Sequence, residues 1–272
     1  MAPFRLAAPE SLRPLLAAAS VEVLSPAVPG DERERERWRR LWLERRQGAG
    51  ATPAEAAAAL QSPSLRAVLA ALDRRADGVL LDDTAPATAA WQLLEPRNRQ
   101  VCTELWLGGH PETPSECFAW WEMPPAGNVS LAAEQLCGAV AEFARLQAQP
   151  AVAAVVSFLG SAVTRRPPAP AFLATLAARA PVQPISLYSP LFFRDGGLQA
   201  AALLAEIRRH TGAAAPVLFI PQLARDEFAA ALLTLKVPWA GPLLAGAELP
   251  AARLPAQATP ADAQAAAAWL VR

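Results

Sequence analysis

The chain has 272 residues, 53% hydrophobic and 18% charged, with mean hydropathy +0.18; this excludes a disordered chain and allows two lobes with a sizeable core. Lys plus Arg and Asp plus Glu each total 25, a formal net charge of +0, so no overall field would gather nucleic acid or an anionic membrane. Cys102, Cys117 and Cys137 lack CxxC spacing and indicate neither a disulfide framework nor a zinc site. No apolar run approaches the roughly 18 to 20 residues of a membrane span, and no signal-like start is visible; a soluble, cytoplasmic protein is expected.

The first predicted elements are a short helix from Pro9 to Ala19 and a strand from Val21 to Ser25. After Pro26, Pro29 and Gly30, the run Asp31–Arg46 places Trp38, Leu41 and Trp42 on one side of a helix, acidic residues early and basic residues late. Thr52 then reads as an N-cap, Pro53 as the first helical position and Glu55 as its capping-box partner. A helix around Leu65–Arg74 leads through Asp77 and Gly78 into a short apolar strand.

Strands are predicted at Val101–Leu107 and Cys117–Glu122, as a hairpin across a Gly- and Pro-containing loop. Within the second, Trp120 and Trp121 are neighbours and must face opposite ways, which leaves one of them as a candidate for exposure and subunit contact. Ser130 reads as the cap of the next helix, and the apolar run from Ala151 to Gly160 as a buried strand. Beyond it the pattern gives a helix near Pro170–Ala178, a strand near Ile185–Leu191, a helix over Leu198–His210, a strand at Val217–Ile220, a helix over Arg225–Leu235, a strand near Trp239–Leu244 and a last helix from Pro260. Such alternation predicts an α/β fold with mostly parallel strands.

Six segments in order resemble the phosphate acetyl/butyryltransferase (phosphotransacetylase) family. They are the helix–turn–helix from Arg33 to Leu60, "ADGVL" from Ala76, "NVSLAAEQL" from Asn128 to Leu136, "VVSFLGS" from Val155, "RDGGLQAAA" from Arg194 to Ala202, and "VLFIPQL" with the closing "AGPLLAGAELPAARLPAQATPAD". The resemblance spans most of the chain from about Ser11, so the family's opening strand, helix and strand are expected to be missing. It implies a two-lobed fold of the isocitrate/isopropylmalate-dehydrogenase kind, with residues 1–112 plus 236–272 in a shortened first lobe and 113–235 in the second. It also implies acyl transfer between coenzyme A and phosphate at a cleft between the lobes, no bound metal or cofactor, coenzyme A or acyl-CoA as ligand, and a homodimer or a pairing with a related subunit.

The chain departs from that family where the chemistry would be. The family's closing Ser-Arg pair falls on Pro255 and Ala256, and only the carboxylate six positions past the arginine is kept, as Asp262. Proline and alanine offer neither hydroxyl nor charge, and one lost preorganised donor typically costs roughly two to three powers of ten in rate. A second family arginine has no counterpart between Arg75 and Arg97. The candidates that remain are Asp262 for catalysis, with Arg253 and Asn128 for substrate binding. Asp262 also reads as a helix-start residue, with Thr259 as N-cap and Pro260 at the first position. His110 and His210 lie in a loop and at a helix end, an unpromising pair for catalysis or a metal. The expectation is a catalytically impaired relative, an acyl-CoA-binding regulatory or scaffold dimer. A divergent active acyltransferase using Asp262 and Arg253, and a structural partner without ligand, are the alternatives.

Overall fold

The computed structural model of the chain describes residues 2–46, 50–94, 103–113, 117–121, 129–147, 152–157, 178, 183–188, 193–194, 197–211, 217–221, 230–231, 234–245 and 249–272. In chain order they form β1 (Arg5–Ala7), a 3-10 helix (Glu10–Leu16), β2 (Glu22–Leu24), α1 (Glu32–Arg46), α2 (Pro53–Ala59), α3 (Pro63–Leu72), β3 (Gly78–Leu81) and α4 (Ala85–Trp91). Next come β4 (Thr103–Gly108), β5 (Phe118–Trp120), α5 (Val129–Gln147), β6 (Val152–Ser157), β7 (Gln183–Tyr188), β8 (Phe193–Arg194), β9 (Gly197–Leu198), α6 (Ala200–Thr211) and β10 (Val217–Pro221). The chain ends with β11 (Trp239–Ala245), β12 (Ala251–Arg253) and α7 (Pro260–Leu270). Two compact units result, Met1–Cys102 with Trp239–Arg272, and Thr103–Pro238.

In the first unit the strands lie in the order β2-β1-β3-β12-β11. The first four are parallel and β11 is antiparallel to β12. Trp38 and Trp42, one helical turn apart on α1, are buried with Leu65, Val68 and Leu69 of α3 and with Val79 and Leu81 of β3. The capping box at Thr52 and Glu55 starts α2 with Pro53 in its first turn, and Ser62 caps α3 through the Leu65 amide. On α7, Ala263, Ala265, Ala266, Ala267, Trp269 and Leu270 are buried, and the helix packs on β11 and the 3-10 helix. The family resemblance starts at about Ser11, yet β1 lies ahead of that point and pairs with β2 and β3. Three residues, with proline two positions beyond them, carry too little periodicity to announce a strand. What holds β1 in place is Arg5, whose backbone N–H donates to Asp77 Oδ2 at 2.8 Å and whose guanidinium donates to Oδ1 at 3.1 Å.

In the second unit the order is β4-β5-β10-β6-β7. β4 and β5 are antiparallel, as the hairpin reading predicts, and β5, β10, β6 and β7 are parallel neighbours. Trp106 and Trp120 face each other across β4 and β5 with stacked rings 5.0 Å apart. The expected exposure of Trp120 or Trp121 is not found, since they are 2% and 1% exposed. Alternation puts the side chains on opposite faces, but both faces at this point are covered. α5 spans Val129–Gln147, so Ser130 falls in its first turn and not ahead of it. The Leu198–His210 helix begins two residues late, because Leu198 pairs with Phe193 in the β8–β9 hairpin. Most of the helices expected at 170–178 and 225–235 lies outside the described residues.

Candidate functional site

Parallel α/β sheets bind ligands beyond the carboxyl ends of their strands, and in the first unit those ends gather the residues the sequence points to. Arg253, the last residue of β12, lies opposite Leu81, the last of β3, and the Leu254 N–H donates to the Leu81 carbonyl at 2.8 Å. β3 runs directly into Asp82, Asp83 and Thr84. Thr84 caps α4, its hydroxyl accepting from the Ala87 N–H at 3.3 Å and donating to Asp82 Oδ1 at 2.6 Å. α4 ends on Trp91, which is buried, with the Arg253 guanidinium 5.4 Å from its ring centroid. Arg253 is itself only 9% exposed. A desolvated guanidinium over an indole face gains about 2 kcal/mol, so this contact fixes a cation at the carboxyl edge of the sheet.

The backbone around Arg253 is equally constrained. Gly241 of β11 has φ +70°, and a Cβ there would lie 1.5 Å from the Arg253 carbonyl oxygen; only glycine lets the two strands approach this closely. Past β12 the chain turns through Pro255 and Ala256, closed by the Ala258 N–H on the Pro255 carbonyl at 3.1 Å.

Thr259 caps α7, and Asp262 completes the capping box. Asp262 Oδ2 accepts from the Thr259 N–H at 2.7 Å and from its hydroxyl at 2.6 Å. Oδ1 accepts from the Trp239 N–H at 2.5 Å. The carboxylate thus ties the start of α7 to the start of β11. Three of its roughly four acceptor sites are thereby used by the fold.

The structure therefore places Arg253, Pro255, Ala256 and Asp262 on one edge of one unit. Asn128 lies outside the described residues. His110 accepts the Glu112 N–H at Nδ1 in its loop, 3.3 Å away, and His210 Nε2 lies 3.0 Å from Glu206 on α6. Sequence reasoning missed Trp91 and the Asp82–Thr84 turn, although Thr84 with Pro86 at the second helical position is close to the cap-then-proline signal that marks α2 and α7. Among the described residues no group of three or more His, Cys, Asp or Glu side chains could hold a metal ion. No described helix is long and apolar enough to cross a membrane.

Solved structures of two kinds share this fold. A protein described as a 4-hydroxythreonine-4-phosphate dehydrogenase from Salmonella typhimurium superposes with a TM-score of 0.53 at 11% identity, covering 99% of this chain and 100% of that one; the fold is of the dehydrogenase-like α/β class. A phosphotransacetylase from Streptococcus pyogenes superposes at 0.64 with 17% identity, and the EutD phosphotransacetylase from Staphylococcus aureus at 0.59 with 13%. Each covers 98% of this chain and 93% of its own, and the fold is the phosphotransacetylase fold. No protein-family model and no curated protein sequence matches the chain.

Proposed function

We propose that this chain is a phosphate acetyl/butyryltransferase-like protein that has lost most of its catalytic power and acts as an acyl-CoA-binding regulatory or scaffold dimer. One observation carries the reading: the carboxylate matching the family's general base has both oxygens occupied by Trp239 and Thr259 donors. Beside it, Pro255 and Ala256 hold the places of a hydroxyl and a guanidinium. Acyl transfer to or from a thiol needs a base for the thiol and donors for the oxyanion that forms. Pro255 and Ala256 provide no such side-chain donor, and Asp262 has three of its roughly four acceptor sites taken by the fold.

Arg253 favours a second reading, a slow acyltransferase acting on an acyl-CoA other than acetyl-CoA. A buried guanidinium at the carboxyl edge of a parallel sheet is a reasonable phosphate contact. The test is acyl-phosphate formation, trapped with hydroxylamine, and thiol release from acetyl-, propionyl- and butyryl-CoA with phosphate. Rates at the uncatalysed background support the impaired protein. Turnover abolished by Arg253→Ala and by Asp262→Asn would establish the second reading instead. Calorimetric titration with coenzyme A separates both from a partner subunit without ligand, for which no saturable binding is expected.

A further inference from the structure

A cluster of charge lies at the opposite, amino end of β3, where α3 ends and the chain enters the strand. Its centre is Asp73, the C-cap of α3, whose side chain is 1% exposed. Asp73 Oδ2 accepts from the Trp38 indole N–H at 3.3 Å and from Arg75 Nε at 3.0 Å. Oδ1 has the Arg37 guanidinium against it without an aligned hydrogen bond. Arg75 also pairs with Glu34 and stands 5.5 Å over the Trp38 ring. These contacts neutralise the buried carboxylate from beneath.

Above it opens a cavity of about 510 Å³, bounded by Arg37, Arg40, Leu41 and Glu44 of α1 and by Leu72, Asp73 and Arg74. Arg40 reaches Glu44 only at 3.9 Å, with both side chains more than half exposed, which makes that pair weak and easily displaced. Arg74 sits at φ 61°, in the left-handed region that side chains seldom adopt. No carboxylate among the described residues pairs with it. Arg37 spends one guanidinium edge on Asp73 and keeps its other N–H groups. Three arginines from two elements thus line one cavity together with the carboxylates of Asp73 and Glu44, which leaves positive charge in excess.

We propose that this cavity binds a small phosphate-bearing anion of the diphosphate class, inorganic or carried on a nucleoside, distant from the carboxyl-end edge and independent of any acyl-transfer role. The arginines come from two places, Arg37 and Arg40 on the helix and Arg74 on the loop, so a ligand with two anionic groups would draw on both. Planar guanidinium forks engage phosphate oxygens in pairs, and Leu41 and Leu72 form an apolar wall beside them. A volume of about 510 Å³ falls in the range of small-ligand sites, roughly 300–1,000 Å³. Glu44 would release Arg40 as the ligand enters.

The test is isothermal titration of the full chain with inorganic pyrophosphate, with ADP as a second arm, at low and at physiological salt. Saturable one-to-one binding is expected, weakened tenfold or more by Arg74→Gln and by Arg40→Gln and left unchanged by Arg253→Ala. Tighter binding of ADP than of pyrophosphate would assign the nucleoside-borne form, and equal binding the diphosphate alone. Arg40 and Arg74 are exposed and Arg253 is buried, and circular dichroism checks that all three variants stay folded. Absence of saturable binding by the unaltered chain overturns the proposal, as does binding that survives both glutamine variants. Binding abolished by Arg253→Ala alone also overturns it, and would place the anion at the carboxyl-end edge.

Discussion

The two ends of β3 use aspartate in opposite ways. At the carboxyl end Asp262 is held by N–H groups of the backbone and the hydroxyl of its own cap, donors whose positions the fold sets. At the amino end Asp73 is held by an indole and by guanidinium groups whose side chains remain 57% and 46% exposed. Backbone donors cannot turn away to water without unravelling a helix start, whereas an exposed guanidinium exchanges its partner at little cost. The carboxylate at the carboxyl end is therefore held by donors the fold fixes, and the one at the amino end by donors that can exchange.

The sharpest challenge to this contrast is Gly241→Ala. Its methyl group would collide with the Arg253 carbonyl oxygen and force a left-handed φ. If the carboxyl end is as rigid as described, stability falls by about 4 kcal/mol or more, read from urea unfolding. A loss below about 1 kcal/mol would show that β11 and β12 can move apart and that Arg253 is free to relocate.

Next in size is Asp262→Ala, which removes the capping-box carboxylate and leaves the Trp239 N–H without an acceptor, a loss of about 2–3 kcal/mol. Asp73→Ala should cost less, about 1–2 kcal/mol, since Arg37 and Arg75 can hydrate and only the buried Trp38 N–H is orphaned. Chemical denaturation of the two variants side by side tests the contrast directly. Should Asp73→Ala prove the more damaging, the guanidinium end would be the rigid one.

The capping box at Asp262 was legible in the sequence because it is local. Thr259, Pro260 and Asp262 form a pattern that needs no other part of the chain, and the same holds for Thr52, Pro53 and Glu55. The Trp239 contact on Asp262 was not legible, since it spans 23 positions and depends on β11 and β12 pairing. Strand β12 itself, three buried residues long, has no period to detect. Trp38 and Trp42 announced the buried face of α1, but the cavity formed where Arg74 meets that helix depends on a single left-handed residue, which sequence does not specify. Asn128 tests neither end, being outside the described residues.

The smallest effect concerns acid, and it probes how β1 is held beside the amino end of β3. Hydrogen bonds from the Arg5 guanidinium, and then from its backbone N–H, hold the Asp77 carboxyl below the usual aspartate range. A carboxyl depressed in the folded state stays ionised there while the unfolded chain takes up a proton. Its contribution is thus complete above the ordinary aspartate value of about 3.9 and fades as pH falls through the lower folded value. Both side chains are 41% exposed, so solvent screening keeps the effect modest. Asp77→Asn should flatten the acid limb of a stability-against-pH curve by lowering the neutral plateau modestly while leaving the most acid end nearly unchanged. It keeps a side-chain oxygen for the Arg5 N–H, so loss of stability at pH 7 as large as that of Asp262→Ala would mean that the ionic contact, more than the backbone hydrogen bond, anchors β1. The amino end would then depend on fixed charge as strictly as the carboxyl end depends on fixed backbone.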